Sequence, residues 1–146
     1  MVLGSVGFST GLLGALAGGW SVTILGRYKA LLGFGVFQAF AIAAWALVPM
    51  GFSSMTMLYV LSGIEHFTGG LATSVLFTIM MDHCRKDYAG SDYTIQACIV
   101  VLMNMLAAIV SGFSASSLGY EMHFLLAGVL AVVSFPLIVR YKSRFV

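Results

Sequence analysis

Charge is what this sequence has least of. Asp, Glu, Lys and Arg make up 8% of the 146 residues and hydrophobic residues 60%, against roughly a quarter charged in an ordinary soluble domain. With a mean hydropathy of +1.03, a water-soluble fold would have to bury nearly every residue, which a chain this short cannot do. Proline occurs twice, at Pro49 and Pro136, where a membrane helix can end or kink. The two cysteines, Cys84 and Cys98, fall in a polar connection and in an apolar segment, so no disulfide framework is expected. No basic n-region precedes the first apolar run, so no cleavable signal peptide is expected in this stretch. The start Met1-Val2-Leu3-Gly4 reads as the middle of a longer gene.

Basic residues are few and unevenly placed. Arg27 and Lys29 lie between the first two apolar segments, Arg85 and Lys86 between the third and fourth, and Arg140, Lys142 and Arg144 after the fifth. The alternate connections, 51–55 and 118–121, hold no Lys or Arg. Basic residues in short loops stay on the cytoplasmic side during insertion. The pattern predicts five spans, an external amino terminus and a cytoplasmic carboxyl terminus. The seven basic residues form no stripe, so nucleic acid is not an expected partner and membrane lipid is.

A membrane helix needs about 20 mostly apolar residues. The spacing predicts helices over 2–25, 30–50, 56–82, 92–117 and 122–139 of a single all-α membrane bundle, with short loops that make consecutive helices antiparallel neighbours. The first helix sets Gly4, Gly7, Gly11, Gly14 and Gly18 on one face, which lets another backbone approach closely where apolar burial gives no net drive. The fourth has a small and polar face of Thr94, Ala97, Asn104, Ala108, Ser111 and Ala115. The third runs Ser62, His66, Gly69 and Thr73 along one stripe beside Glu65. The expectation is that the first and fourth helices pack, the third is polar-lined, and the second and fifth face lipid.

Glu65 is the sharpest chemical candidate. It falls near the bilayer midplane, where an ionised carboxylate is costly unless it faces a cavity or is neutralised. Such a group suits reversible binding of a proton or a cationic group; the alternative is a protonated Glu hydrogen-bonded to a neighbouring helix. His66 follows it, but adjacent residues project about 100° apart on a helix, so the two do not form a simple i,i+4 pair, and His66 reads equally as packing or as function. Asn104 and Gln38 also fall near mid-membrane, where interhelical hydrogen bonding explains them as well as solute contact does. Around the cytoplasmic loops, Arg27, Lys29, Asp82, Arg85 and Asp92 could form a gate whose charges change partners. The plainer expectation is that Ser91 or Asp92 caps the fourth helix. His66, His83 and His123 fall at three membrane levels, so no metal site is expected from them. No nucleophile arrangement or cofactor-binding loop is present, and the chain does not read as an enzyme.

The run Gly18-Gly19-Trp20, then Leu25-Gly26-Arg27-Tyr28-Lys29, resembles the cytoplasmic loop motif of the major facilitator superfamily without its acidic member. Met80-Met81-Asp82-His83-Cys84-Arg85, then Ala89-Gly90-Ser91-Asp92-Tyr93-Thr94-Ile95-Gln96, with Ser111-Gly112 and Leu118-Gly119-Tyr120, resembles a branch of that superfamily. The branch contains siderophore permeases of the rhizobactin and pyochelin type and muropeptide permeases of the AmpG type. The Gly-Ser-Asp-Tyr-Thr-Ile-Gln run leans toward the siderophore group. The resemblance implies that the five helices are the last five of a twelve-helix transporter of the bacterial inner membrane. It also implies a small-molecule substrate, proton coupling and an amino-terminal half as partner. The alternatives are a muropeptide permease within the same branch and, from another class, a non-transporting membrane scaffold or accessory subunit.

Overall fold

The computed structural model describes residues 2–51, 54–136 and 139–140. Among them the chain is all helical, without a strand. The helices are α1 (Val2–Leu25), α2 (Arg27–Ala44), α3 (Met55–Asp82), α4 (Ala89–Leu118) and α5 (Tyr120–Val133). Short 3-10 turns at Trp45–Leu47 and Lys86–Tyr88 follow α2 and precede α4. Four stretches, Gly4–Leu25, Arg27–Leu47, Met55–Asp82 and Lys86–Leu118, are long and apolar enough to cross a membrane. The chain is a multi-pass membrane protein.

The joints follow from residue chemistry. α1 passes to α2 through Gly26 alone, at φ 76° and ψ 156°, and α4 passes to α5 through Gly119 alone, at φ 80° and ψ 157°. That region of backbone space is essentially reserved to glycine. The Ser54 hydroxyl caps α3 by accepting from the Met57 N–H at 3.2 Å. Pro49 has no N–H for the Trp45 carbonyl, which accepts from Val48 N–H at 3.1 Å instead, and α2 tightens into its 3-10 turn.

Several helix ends differ from the sequence expectation. α2 starts at Arg27 rather than residue 30, and its α-helical part stops at Ala44 rather than 50. α4 starts at Ala89, three residues before the expected 92, and ends at Leu118. α5 covers Tyr120–Val133 rather than 122–139. Its regular hydrogen bonding ends ahead of Pro136, which cannot donate to the Val132 carbonyl. Residues 135–136 and 139–140 are again helical, and 137–138 lie outside the described residues.

α1 and α3 form the closest pair. A Cβ on Gly14 would lie 2.1 Å from the Phe67 carbonyl oxygen, and one on Gly70 would lie 2.2 Å from that of Gly11. Gly18 approaches Leu71 in the same way, and Ser74 Oγ donates to the Ala15 carbonyl at 2.8 Å. Gly4, expected on the same face, meets nothing. Next to this contact Val22, Ala30, Phe34, Leu71 and Val75 form a buried cluster. α2 therefore does not simply face lipid: Ala30, Phe34, Ala39 and Ala41 are buried as it runs between α3 and α5. α4, expected to pack, has no buried residue. Of its small face, Asn104 and Ala108 lie in the fully exposed stretch 101–110, while Ser111 is engaged by His123 of α5.

Candidate functional site

α3 places Glu65 ten residues beyond Met55, about 15 Å along the axis and well inside the span. Glu65 Oε2 lies 3.0 Å from His66 Nδ1, which also lies 2.9 Å from the Ser62 carbonyl oxygen. A carbonyl oxygen only accepts, so Nδ1 carries the proton and donates. Glu65 and His66, adjacent rather than spaced i,i+4, thus come into contact through their side-chain ends. Although their Cβ atoms diverge, the two side chains are long enough to close the arc across the helix surface. The far edge of the imidazole fits against α1 only because residue 7 is glycine: a Cβ there would lie 2.9 Å from His66 Nε2.

Glu65 also lines a cavity of about 340 Å³ with Ile42, Trp45, His123, Phe124 and Ala127. The Trp45 and Phe124 rings stack with centroids 6.1 Å apart, and His123 tilts against Phe124 at 5.4 Å. His123 is held from α4: Ser111 Oγ lies 3.1 Å from its Nε2 and Ser114 Oγ 3.0 Å from its Nδ1. Sequence reasoning treated His123 only as an isolated external histidine. The signal that could have found it is a pair of serines three apart near the end of α4, facing a histidine just past the Gly119 turn. A larger cavity of about 540 Å³ between α2 and α5, including Val36, Phe40, Leu125 and Val129, is lined by apolar residues alone and offers no chemistry.

Asn104 does not join this site; it stands exposed on α4. Gln38 bridges helices instead, its Oε1 accepting from Thr68 Oγ1 at 2.6 Å. At the basic end of the bundle, Arg27 makes a two-pronged pair with Asp82, Nη2 to Oδ1 at 3.0 Å and Nε to Oδ2. This ties the α1–α2 joint to the last residue of α3. Arg85 pairs with Asp92 through Nε and Nη2 at 2.9 and 2.8 Å, and its backbone N–H donates to the same carboxylate at 3.0 Å. The hydrogen bond to Asp92, and then its charge, hold the Arg85 guanidinium above its usual range. Asp92 is thus a clamp on the α3–α4 turn rather than the cap of α4, whose cap position is Tyr88 with no side-chain bond; Ser91 lies inside the helix. Lys29 is exposed, with no acidic partner among the described residues.

What this arrangement offers is a half-buried carboxylate and the His123 imidazole on the wall of a partly aromatic cavity between helices, with the exposed His66 beside Glu65 on α3. It can hold a proton, a cation or a hydroxylated solute. Among the described residues no group of three or more His, Cys, Asp or Glu could hold a metal ion.

The chain is similar to transporters over nearly all its length. It is 21% identical over 138 residues to a Rickettsia prowazekii protein provisionally named as the transporter AmpG 1, covering 92% of this chain and 31% of that protein. It is 23% identical over 128 residues to the anhydromuropeptide permease of Escherichia coli K12, covering 88% of this chain and 26% of the permease. A second AmpG-named Rickettsia protein, from Rickettsia felis, is 24% identical over 140 residues, covering 96% of this chain and 34% of that protein. The chain thus spans about a quarter to a third of the length of the curated relatives it matches. The names are those of transporters and a permease, not of enzymes. No family model and no solved structure matches the chain. The siderophore leaning finds no support among these relatives. The residues that suggested it have local work: Asp92 clamps Arg85, and Gln96 Nε2 donates to the Met80 carbonyl at 3.3 Å.

Proposed function

We propose that this chain is part of a major-facilitator-type permease that moves a muropeptide-like solute across the bacterial inner membrane. Glu65 is its proton-coupling or solute-contacting carboxylate. The observation that carries the reading is the similarity of nearly the whole chain to the AmpG-named transporters and the anhydromuropeptide permease. A mid-span carboxylate opening on a walled cavity agrees with it. In this reading the five helices are the last five of twelve, with the basic end cytoplasmic and the amino terminus outside. The open face of α4 and the exposed Asn104 then look toward an amino-terminal half, and the two halves rock about a midplane site. The Arg27–Asp82 pair, which joins separate helices, is the element of the cytoplasmic cluster suited to a gate. The Arg85–Asp92 pair stays within one turn.

The test is uptake of labelled anhydromuropeptide by proteoliposomes containing the full-length polypeptide that carries this segment, driven by an inward proton gradient. Accumulation supports the reading. Absence of both accumulation and solute exchange would leave the chain in the scaffold class. The 146-residue chain alone, without a second bundle, is expected to transport nothing.

A further inference from the structure

We infer that the groove between α2 and α5 is a binding site for one anionic phospholipid, with its acyl chain along the groove and its headgroup phosphate at Lys29 and Arg140. The inference rests on the proposed membrane orientation only for naming the cytoplasmic leaflet; transport has no part in it.

The groove is the cavity of about 540 Å³ walled by apolar residues alone, among them Val36, Phe40 and Ala43 of α2 and Leu125, Val129 and Val133 of α5. A hydroxylated solute would leave its polar groups without partners there. Water would find none either, so inside a bilayer such a space fills with hydrocarbon. The two helices touch at two levels along it. A Cβ on Gly128 would lie 3.3 Å from the Ala43 Cβ, and one on Gly35 would lie 3.1 Å from Phe135 Cε1. A third helix, about 10 Å across, cannot enter between helices this close. A single acyl chain can.

The same two contacts set the register. They match Ala43 with Gly128 and Gly35 with Phe135, so α2 and α5 run antiparallel. Lys29, six residues before Gly35, and Arg140, five after Phe135, then come to one level. The groove reaches that level along one face of α2, where Lys29, Gly33, Val36, Phe40 and Ala43 recur at offsets of three and four. At Gly33 a Cβ would meet nothing within 4 Å, so the way from the groove to Lys29 is open. The fourteen residues from Lys29 to Ala43 rise about 21 Å. Half a bilayer with its headgroups is about 20–22 Å. One leaflet's lipid therefore fits with its phosphate level with Lys29 and its chain ending near Ala43.

Charge selects the headgroup. At this end of the bundle Arg27 is paired with Asp82 and Arg85 with Asp92. Lys29 is exposed, with no acidic partner among the described residues. Arg140 is exposed as well, and the sequence continues with Lys142 and Arg144. A lysine stem lies along apolar surface while its ammonium stays at the headgroup level. Each basic residue at a membrane surface favours an anionic lipid by about fivefold.

The test is photocrosslinking of the full-length protein in phosphatidylcholine nanodiscs. The probes are phosphatidylglycerol and phosphatidylcholine, each carrying a diazirine in mid-chain, and the labelled residues are read by mass spectrometry. Phosphatidylglycerol is expected to label residues 36–40 and 129–133 about fivefold more than phosphatidylcholine, or better. Lys29→Gln should cut that preference by about fivefold. Lys86→Gln, exposed at the same end but in the turn before α4, should leave it unchanged. Equal labelling by the two lipids in the wild type marks ordinary boundary lipid and overturns the inference without any variant. Absence of label on both helices means that a second copy or another part of the full-length chain covers the groove, and overturns it equally. A preference lost alike in Lys29→Gln and Lys86→Gln reports diffuse surface charge and also refutes the site. Loss of anhydromuropeptide uptake with the lipid preference intact would count against the proposed function and not against the lipid site.

Discussion

Substituting Gly14 by Ala puts the α1–α3 contact to a direct trial. The added Cβ would lie 2.1 Å from the Phe67 carbonyl oxygen, where ordinary contact begins at 3.4 Å, so the two backbones must part locally by about 1.3 Å. Backbone atoms have no rotamer by which to yield. Overpacking of this kind costs about 1–3 kcal/mol, and the Ser74 to Ala15 hydrogen bond at 2.8 Å is stretched at a further cost of about 0.6 kcal/mol. Against this, Ala is the better helix former by about 1 kcal/mol. Gly33→Ala supplies the control, since a Cβ there meets nothing within 4 Å and only the propensity gain remains. Unfolding in mixed detergent micelles, followed by tryptophan fluorescence, should therefore separate the two variants by about 2–4 kcal/mol, with Gly14→Ala the weaker. Equal stability, within about 0.5 kcal/mol, would refute the reasoning that the glycine face exists to admit α3.

Three more outcomes follow from the geometry. Gly119→Ala has open space around it but a φ of 80°, so it should destabilise by about 1–3 kcal/mol through backbone conformation alone, measured in the same unfolding assay. Asp82→Asn removes the partner of an exposed Arg27. It should leave that unfolding curve unchanged within error at high salt, and a clear loss of stability there would show that the pair is structural rather than a changeable latch. Gly7→Ala should displace the His66 ring, whose edge lies 2.9 Å from the new Cβ. A nitrogen spectrum of His66 identical to wild type would contradict that placement.

How far the sequence could be read is clearest in single residues. The glycines at 7, 11, 14 and 18 announced a close helix contact, since only a run at helical spacing clears a backbone. The partner was not legible, because Gly70, which completes it, is one small residue among many in α3. The apolar runs gave five helices, yet α5 ends at Val133 because Pro136 interrupts a pattern that hydrophobicity alone carries on to 139. Glu65 stood out as a charge within an apolar span. Its pairing with His66 did not, because angular spacing ignores the reach of two flexible side chains. His123 entered the Glu65 cavity from 58 positions away in sequence, through a contact that depends on how α5 folds back past Gly119. Asp92 carried the right sign for the start of α4, but Arg85, seven residues before it, claimed both carboxylate oxygens.

The account stands most directly on Glu65. The deciding measurement compares wild type with Glu65→Gln in the full-length protein, reading proton-driven accumulation of labelled anhydromuropeptide against its exchange at equal pH on both sides. The account predicts that Glu65→Gln loses accumulation by tenfold or more, on the order of one pH unit of driving force, and retains exchange. Wild-type accumulation in the variant would contradict it.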